Sequence, residues 1–184
     1  MKKPVAFNLA KLRSFNPCYD PGRHLPEDWQ GTVVDILEHK DIPPQDKLRI
    51  VCREEFLSAR LLRRFAIAQA RTCRKNVTDK KEFDRILQVC RRFTEGKATN
   101  DELVEAESAA LRAAHWAACV MDYPTALMAA EWAAFPTARS AAFRAAETAA
   151  LLAVRFATAS DSAAYSRACR MLLRMIRADL RRGK

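Results

Sequence analysis

The stretch Asp79-Lys80-Lys81-Glu82-Phe83-Asp84-Arg85-Ile86-Leu87-Gln88-Val89-Cys90-Arg91-Arg92-Phe93-Thr94-Glu95-Gly96-Lys97-Ala98-Thr99-Asn100-Asp101-Glu102-Leu103 holds one whole helix and both of its boundaries. Asp79 and Glu82 stand at the D-x-x-E spacing of a reciprocal N-terminal cap. Phe83, Ile86, Leu87, Cys90 and Phe93 then recur at steps of three, one, three and three, which puts them on one helical face. Gly96 falls where a left-handed C-terminal cap belongs. Thr99 and Glu102 repeat the capping spacing at once and open a further helix, predicted from about Asn100 to Met121. Helix, glycine stop, helix is the grammar of an all-α protein.

The same reading extends outward. Ser58 is a candidate N-cap for a helix to about Lys75, with Leu61, Leu62, Phe65, Ala66, Ala68 and Ala70 as its apolar set. Pro44 suits the first turn of a helix that runs to about Glu55. A short helix fits Trp29 to His39, with Asp28 as its cap. Before it, Asn16-Pro17-Cys18-Tyr19-Asp20-Pro21-Gly22 is dense in turn formers, so residues 1–28 read as an irregular N-terminal arm. Toward the C-terminus, Pro124 and Pro136 each suit the first turn of a helix, giving about 124–134 and 136–157. Ser160-Asp161 caps a last helix to about Arg181. No alternating run of β-branched residues argues for a strand. The expectation is a single-domain, all-α bundle of about eight helices over residues 29–184.

Of the 184 residues, 33 are Ala, and 25 of these lie between Ala106 and Ala168. They come in pairs four residues apart: Ala109-Ala110, Ala113-Ala114, Ala117-Ala118, then Ala129-Ala130 with Ala133-Ala134, then Ala141-Ala142, Ala145-Ala146 and Ala149-Ala150. A four-residue step advances 400°, so each set keeps to one broad helical face. A methyl face lets helices approach toward the short end of the roughly 8–10 Å range. Trp116, Leu127, Trp132, Phe143 and Leu152 stand between the pairs, as large-against-small packing requires. Residues 98–160 therefore read as an Ala-rich scaffold.

The net charge of +10 is unevenly placed. Residues 1–57 are neutral overall, 58–97 carry +8, 98–160 carry −3, and 161–184 carry +5. In the last helix Arg167, Arg170, Arg174, Arg177 and Arg181 follow steps of three and four, a single basic stripe. The second basic segment, a helical pair over 58–97, includes Arg71, Arg74, Lys75, Lys80 and Lys81 around the break at Asn76. These ten residues are the candidate binding surface. An ordinary solvated face would look the same. A docking surface for an acidic partner is the functional reading, and nucleic acid is the other polyanion to weigh. The chain shows no helix-turn-helix signature, zinc-finger spacing or RNA-binding aromatic motif.

Four glycines leave little room for a phosphate loop, and no G-x-S-x-G, H-E-x-x-H or Walker motif occurs. His115 reads as a packed residue among alanines. Cys18, Asp20 and His24, with Asp35 and His39, could in principle assemble a metal site, but C-x5-H is not a structural zinc pattern. Arg53-Glu54-Glu55 reads as helix-end ion pairing. No catalytic residue, cofactor or metal is expected, and the chain reads as no enzyme. Six cysteines without a C-x-x-C read as reduced, mostly buried thiols. With no signal-peptide core and no apolar run near 20 residues, the expectation is a cytoplasmic protein that does not enter membranes.

Several of these stretches resemble a known family. Asp46-Lys47-Leu48-Arg49-Ile50-Val51-Cys52-Arg53-Glu54-Glu55-Phe56-Leu57 is similar to its opening helix. Leu61-Leu62-Arg63-Arg64-Phe65-Ala66 with Ala70-Arg71 is similar to its second. Arg92 to Leu103, followed by Ala pairs with Trp, is the most specific part. Over roughly residues 44–157 the chain resembles the alanine-rich immunity proteins of the immunity-protein-5-like family. The resemblance implies a non-enzymatic helical protein that binds and neutralises a toxin; the charge reading would place that binding on a basic surface. It carries no functional residues over to this sequence.

Overall fold

The computed structural model describes residues 6–15, 20–77, 79–120 and 162–182. These residues are mostly helical. They fall into two compact units, one within Met1–Ser58 and Ser162–Lys184, the other within Ala59–Asp161. The helices expected over 124–134 and 136–157 lie outside the described residues.

The first unit begins with strand β1, Phe7–Asn8, which runs directly into helix α1, Leu9–Ser14. Asn8 caps α1, its side-chain oxygen accepting from Lys11 N–H at 3.0 Å. A 3-10 turn at Pro21–Arg23 follows, started by Asp20, whose carboxylate accepts from Gly22 N–H. Strand β2, Gln30–Gly31, then pairs antiparallel with β1, Phe7 opposite Gly31. Gly31 is required there because the Trp29 indole lies where a β-carbon would stand, 2.4 Å from it. Residues 7–15 and 20–25 are thus more regular than the arm read from the sequence, and Phe7, Leu9, Leu12 and Leu25 are buried.

Helix α2 is Val33–Glu38, later than expected, and it is capped by Thr32 in place of Asp28. Thr32 Oγ1 accepts from Val34 N–H at 3.2 Å, and Asp35 accepts from Thr32 N–H at 2.7 Å. Trp29 precedes β2 and takes no part in the helix. Helix α3, Pro44–Val51, starts on its proline as expected but stops four residues short of Glu55. Leu48, Ile50 and Val51 are buried. Lys47 is buried too, and its ammonium donates to the Leu37 carbonyl at 3.2 Å. That satisfies an orphan acceptor at the end of α2 and partners a charge that burial would otherwise penalise.

The second unit contains helices α4, Ala59–Thr72, α5, Lys80–Thr94, and α6, Asn100–Val120. Phe83, Ile86, Leu87, Val89 and Cys90 of α5 share a core with Ile67 and Ala70 of α4 and with Leu103, Ala106, Ala109 and Ala110 of α6. The apolar face predicted for α5 is the buried one, and the first alanine pair of α6 packs in this core. The α5–α6 turn is a Schellman arrangement. Lys97 N–H donates to Arg92 O at 2.7 Å and Gly96 N–H to Phe93 O at 2.9 Å. Gly96 has φ +73°. Thr99 and Glu102 make the expected reciprocal box, at 2.8 and 3.2 Å. At the start of α5 only half of the expected box forms. Asp79 accepts from Lys81 and Glu82 N–H, while the Glu82 carboxylate binds Arg85 at 2.8 Å.

Within the first unit the last helix, α7, Ser162–Arg182, packs against α2 and α3. An apolar face on α7 matches the buried faces of α2 and α3, so both ends of the chain join one core.

Gly96 tests the boundary on which the fold reading rests. A β-carbon there would meet nothing within 4 Å, so its cost is purely conformational. Gly96→Ala should lower unfolding free energy by about 1–2 kcal/mol, read from a urea midpoint shift at constant slope. An unchanged midpoint would show that the left-handed turn does not hold α5 and α6.

Candidate functional site

Helix α7 is built as two faces. Ala164, Ala168, Cys169, Leu172 and Ile176 are buried, and Leu172 is fully so. Arg167, Arg170, Arg174, Arg177 and Arg181 are all exposed. At 100° per residue the five arginines fall within an arc of about 80°, on the side away from the buried set. Asp179, which interrupts the arginines in sequence, falls on the docking side by the same step. The stripe runs about 21 Å along the axis from Arg167 to Arg181.

Polar contacts fix α7 in addition to its apolar face. The Cys169 thiol donates to the Pro44 carbonyl at 3.3 Å, at the first turn of α3. Arg177 forms an ion pair with Glu38 at the end of α2, both side chains about half exposed. Arg177 is thus committed within the unit, a partner 139 residues away that no local pattern reveals. Arg170, Arg174 and Arg181 have no carboxylate partner among the described residues.

The second predicted cluster lies in the other unit and differs in character. Arg74 is held by a fork of bonds to Asp84 at 2.6 to 3.1 Å. Hydrogen bonding to Arg74 holds the Asp84 carboxyl below its ordinary range. Arg85 binds Glu82 and reaches Glu105, Arg91 binds Glu95, Arg92 binds Glu102, and Lys97 binds Glu95. Much of the positive charge of 58–97 is therefore matched locally. Arg71, Lys75, Lys80 and Lys81 are exposed around the turn between α4 and α5, near the negative Asp79 and Asp84. Each such exposed pair contributes only about 0–1 kcal/mol, so these pairs matter more for the surface potential than for stability.

The residues weighed as metal ligands have other work. Asp20 binds Arg13 at 3.2 Å, and Arg13 also grips Glu27. The Gly22 N–H and the Arg13 side chain hold the Asp20 carboxyl below its usual range. Asp35 caps α2, and His39 Nδ1 accepts from Asp41 N–H at 3.3 Å. Cys18 lies outside the described residues. Among the described residues no three His, Cys, Asp or Glu side chains are grouped to hold a metal ion, and no helix is long and apolar enough to cross a membrane.

One open groove was not foreseen. It holds about 490 Å³ and is lined by Ala6, Phe7, Asn8, Lys11, Gln30, Glu55 and Phe56. Phe7 stacks on Phe56 with centroids 4.6 Å apart, and Lys11 pairs with Glu55 at 3.5 Å. Of its polar groups, Asn8 is used as the cap of α1 and Lys11 is paired with Glu55. The signal for it lay in Phe7, which the turn-rich composition of the arm obscured.

Cys52, Cys73, Cys90 and Cys169 are free and buried. Burial pushes the Cys90 thiol up to about 12 and the Cys169 thiol up to about 11. A thiol raised by folding contributes stability that is present below its unfolded value of about 9 and is lost as pH climbs through the folded value. At pH 8, alkylation mapped to Cys90 should be slower in the native protein than in urea by a factor on the order of 100. Equal rates would show that α5 does not bury its thiol.

The two faces of α7 separate stability from surface chemistry. Leu172→Ala should cost about 2–5 kcal/mol of unfolding free energy. The combined change Arg170→Gln, Arg174→Gln and Arg181→Gln should leave it within about 0.5 kcal/mol, both read by urea titration. A large loss in the arginine variant would make the stripe a structural element. Comparison with family models, curated proteins and solved structures finds no match to this chain.

Proposed function

We propose that this chain is a non-enzymatic helical binding module that holds an acidic protein through α7. In its most specific form it is an immunity-type protein that neutralises a toxin, the reading implied by the resemblance of residues 44–157. The observation that carries the proposal is the contrast between the two basic segments. On α7, Arg170, Arg174 and Arg181 face outward without a described carboxylate. In 58–97, Arg74, Arg85, Arg91, Arg92 and Lys97 are already paired. Charges without internal partners are the ones left to attract an external one. Four buried free thiols fit a reducing, cytoplasmic setting.

Nucleic acid is the second reading. It is favoured by Lys75, Lys80 and Lys81, exposed near Arg71 and without a carboxylate partner among the described residues.

A pull-down with the full chain as bait, with and without nuclease, tests the choice. An acidic protein should be retained by the native chain and lost by Arg170→Glu, Arg174→Glu, Arg181→Glu. Retention of nucleic acid alone, with affinity falling steeply as salt rises, would overturn the proposal in favour of the second reading.

A further inference from the structure

The α7 face specifies the shape of its partner as well as its sign. The arginines repeat at steps of three and four, the spacing of the contact seam of two helices laid side by side. A second α-helix has the same rise and repeat, so carboxylates at matching steps would meet Arg170, Arg174 and Arg181 in register. Arg177 already makes such a contact, since Glu38 reaches it from the end of α2. Arg and carboxylate suit each other as a planar fork to a pair of oxygens.

The borders of the stripe favour a protein helix over a phosphate backbone. Met171 and Leu173 are half-buried and lie on its two edges by the 100° step. A helix with small apolar residues beside its carboxylates would cover these shoulders and remove them from water. A phosphate backbone has no apolar surface to lay on them. No aromatic ring stands among the arginines for a base to stack on.

We infer that α7 receives an acidic α-helix lengthwise, one carrying Asp or Glu at alternating three- and four-residue steps with small apolar residues at their sides. This rests on the acidic-protein reading above and adds the form of the recognised element.

The test uses the full chain and three labelled probes in fluorescence anisotropy. One is an alanine-based peptide of about 20 residues, long enough to be helical alone, with Glu at three–four steps. The second has the same composition with its Glu gathered at one end. The third is a duplex DNA of similar length. The stepped peptide should bind, the blocked one should bind about tenfold more weakly or worse, and Arg170→Gln, Arg174→Gln, Arg181→Gln should weaken the stepped peptide by a similar factor. Equal binding of both peptides overturns the helical form and leaves the acidic-protein reading standing. Failure of the stepped peptide to bind overturns the inference. DNA binding tighter than either peptide overturns both.

Discussion

The burial of one face of α7 on α2 and α3 is the constraint from which the functional reading follows. Ala164, Ala168, Leu172 and Ile176 recur every four residues, and all are buried. Once that face is committed, helix geometry leaves the arginines no direction but outward. At roughly 25 cal/mol per Å² of apolar area, burial of Leu172 and Ile176 alone is worth several kcal/mol. Repulsion between like charges along the stripe costs a few tenths of a kcal/mol per neighbouring pair. The docking term is the larger by far, so the helix can carry the stripe without losing its place.

The same comparison of magnitudes separates the two basic segments. In α5 the charged face is laced to acids on α5 and α6, and Arg92 with Glu102 ties the two helices beside the Gly96 turn. Those pairs lower the local potential at little gain in stability. On α7 the Arg177–Glu38 pair helps hold the helix, while Arg170, Arg174 and Arg181 are exposed without a carboxylate partner among the described residues. Basic segments in sequence therefore differ in surface meaning, and the positions of the carboxylates decide which.

Local signals carried the helix boundaries. Pro44, Asp79, Gly96 and Thr99 each do locally what their residue type favours, because caps and turns depend on contacts three to five residues away. Thr32 with Asp35 carries a similar signal in weaker form, with Asp in place of Glu, and Asp28 read as the better cap. The β1–β2 pair escaped notice because two-residue strands have no alternation to detect. Residues 9–14 form a helix within a segment whose later prolines dominated its composition. For α7 the periodicity gave both faces, but not that α2 and α3 receive it, since the Cys169–Pro44 and Arg177–Glu38 contacts cross more than a hundred residues. The arginine stripe was legible; which of its members were free for a partner was not.

Arginine footprinting of the protein with and without an acidic protein retained in the pull-down tests the central claim most directly. Modification by a dicarbonyl reagent, mapped residue by residue, reports which guanidinium groups the partner covers. Protection centred on Arg170, Arg174 and Arg181 is the predicted result. Protection of Arg71 and Arg74 instead, with the α7 arginines reacting as in the free protein, would contradict it.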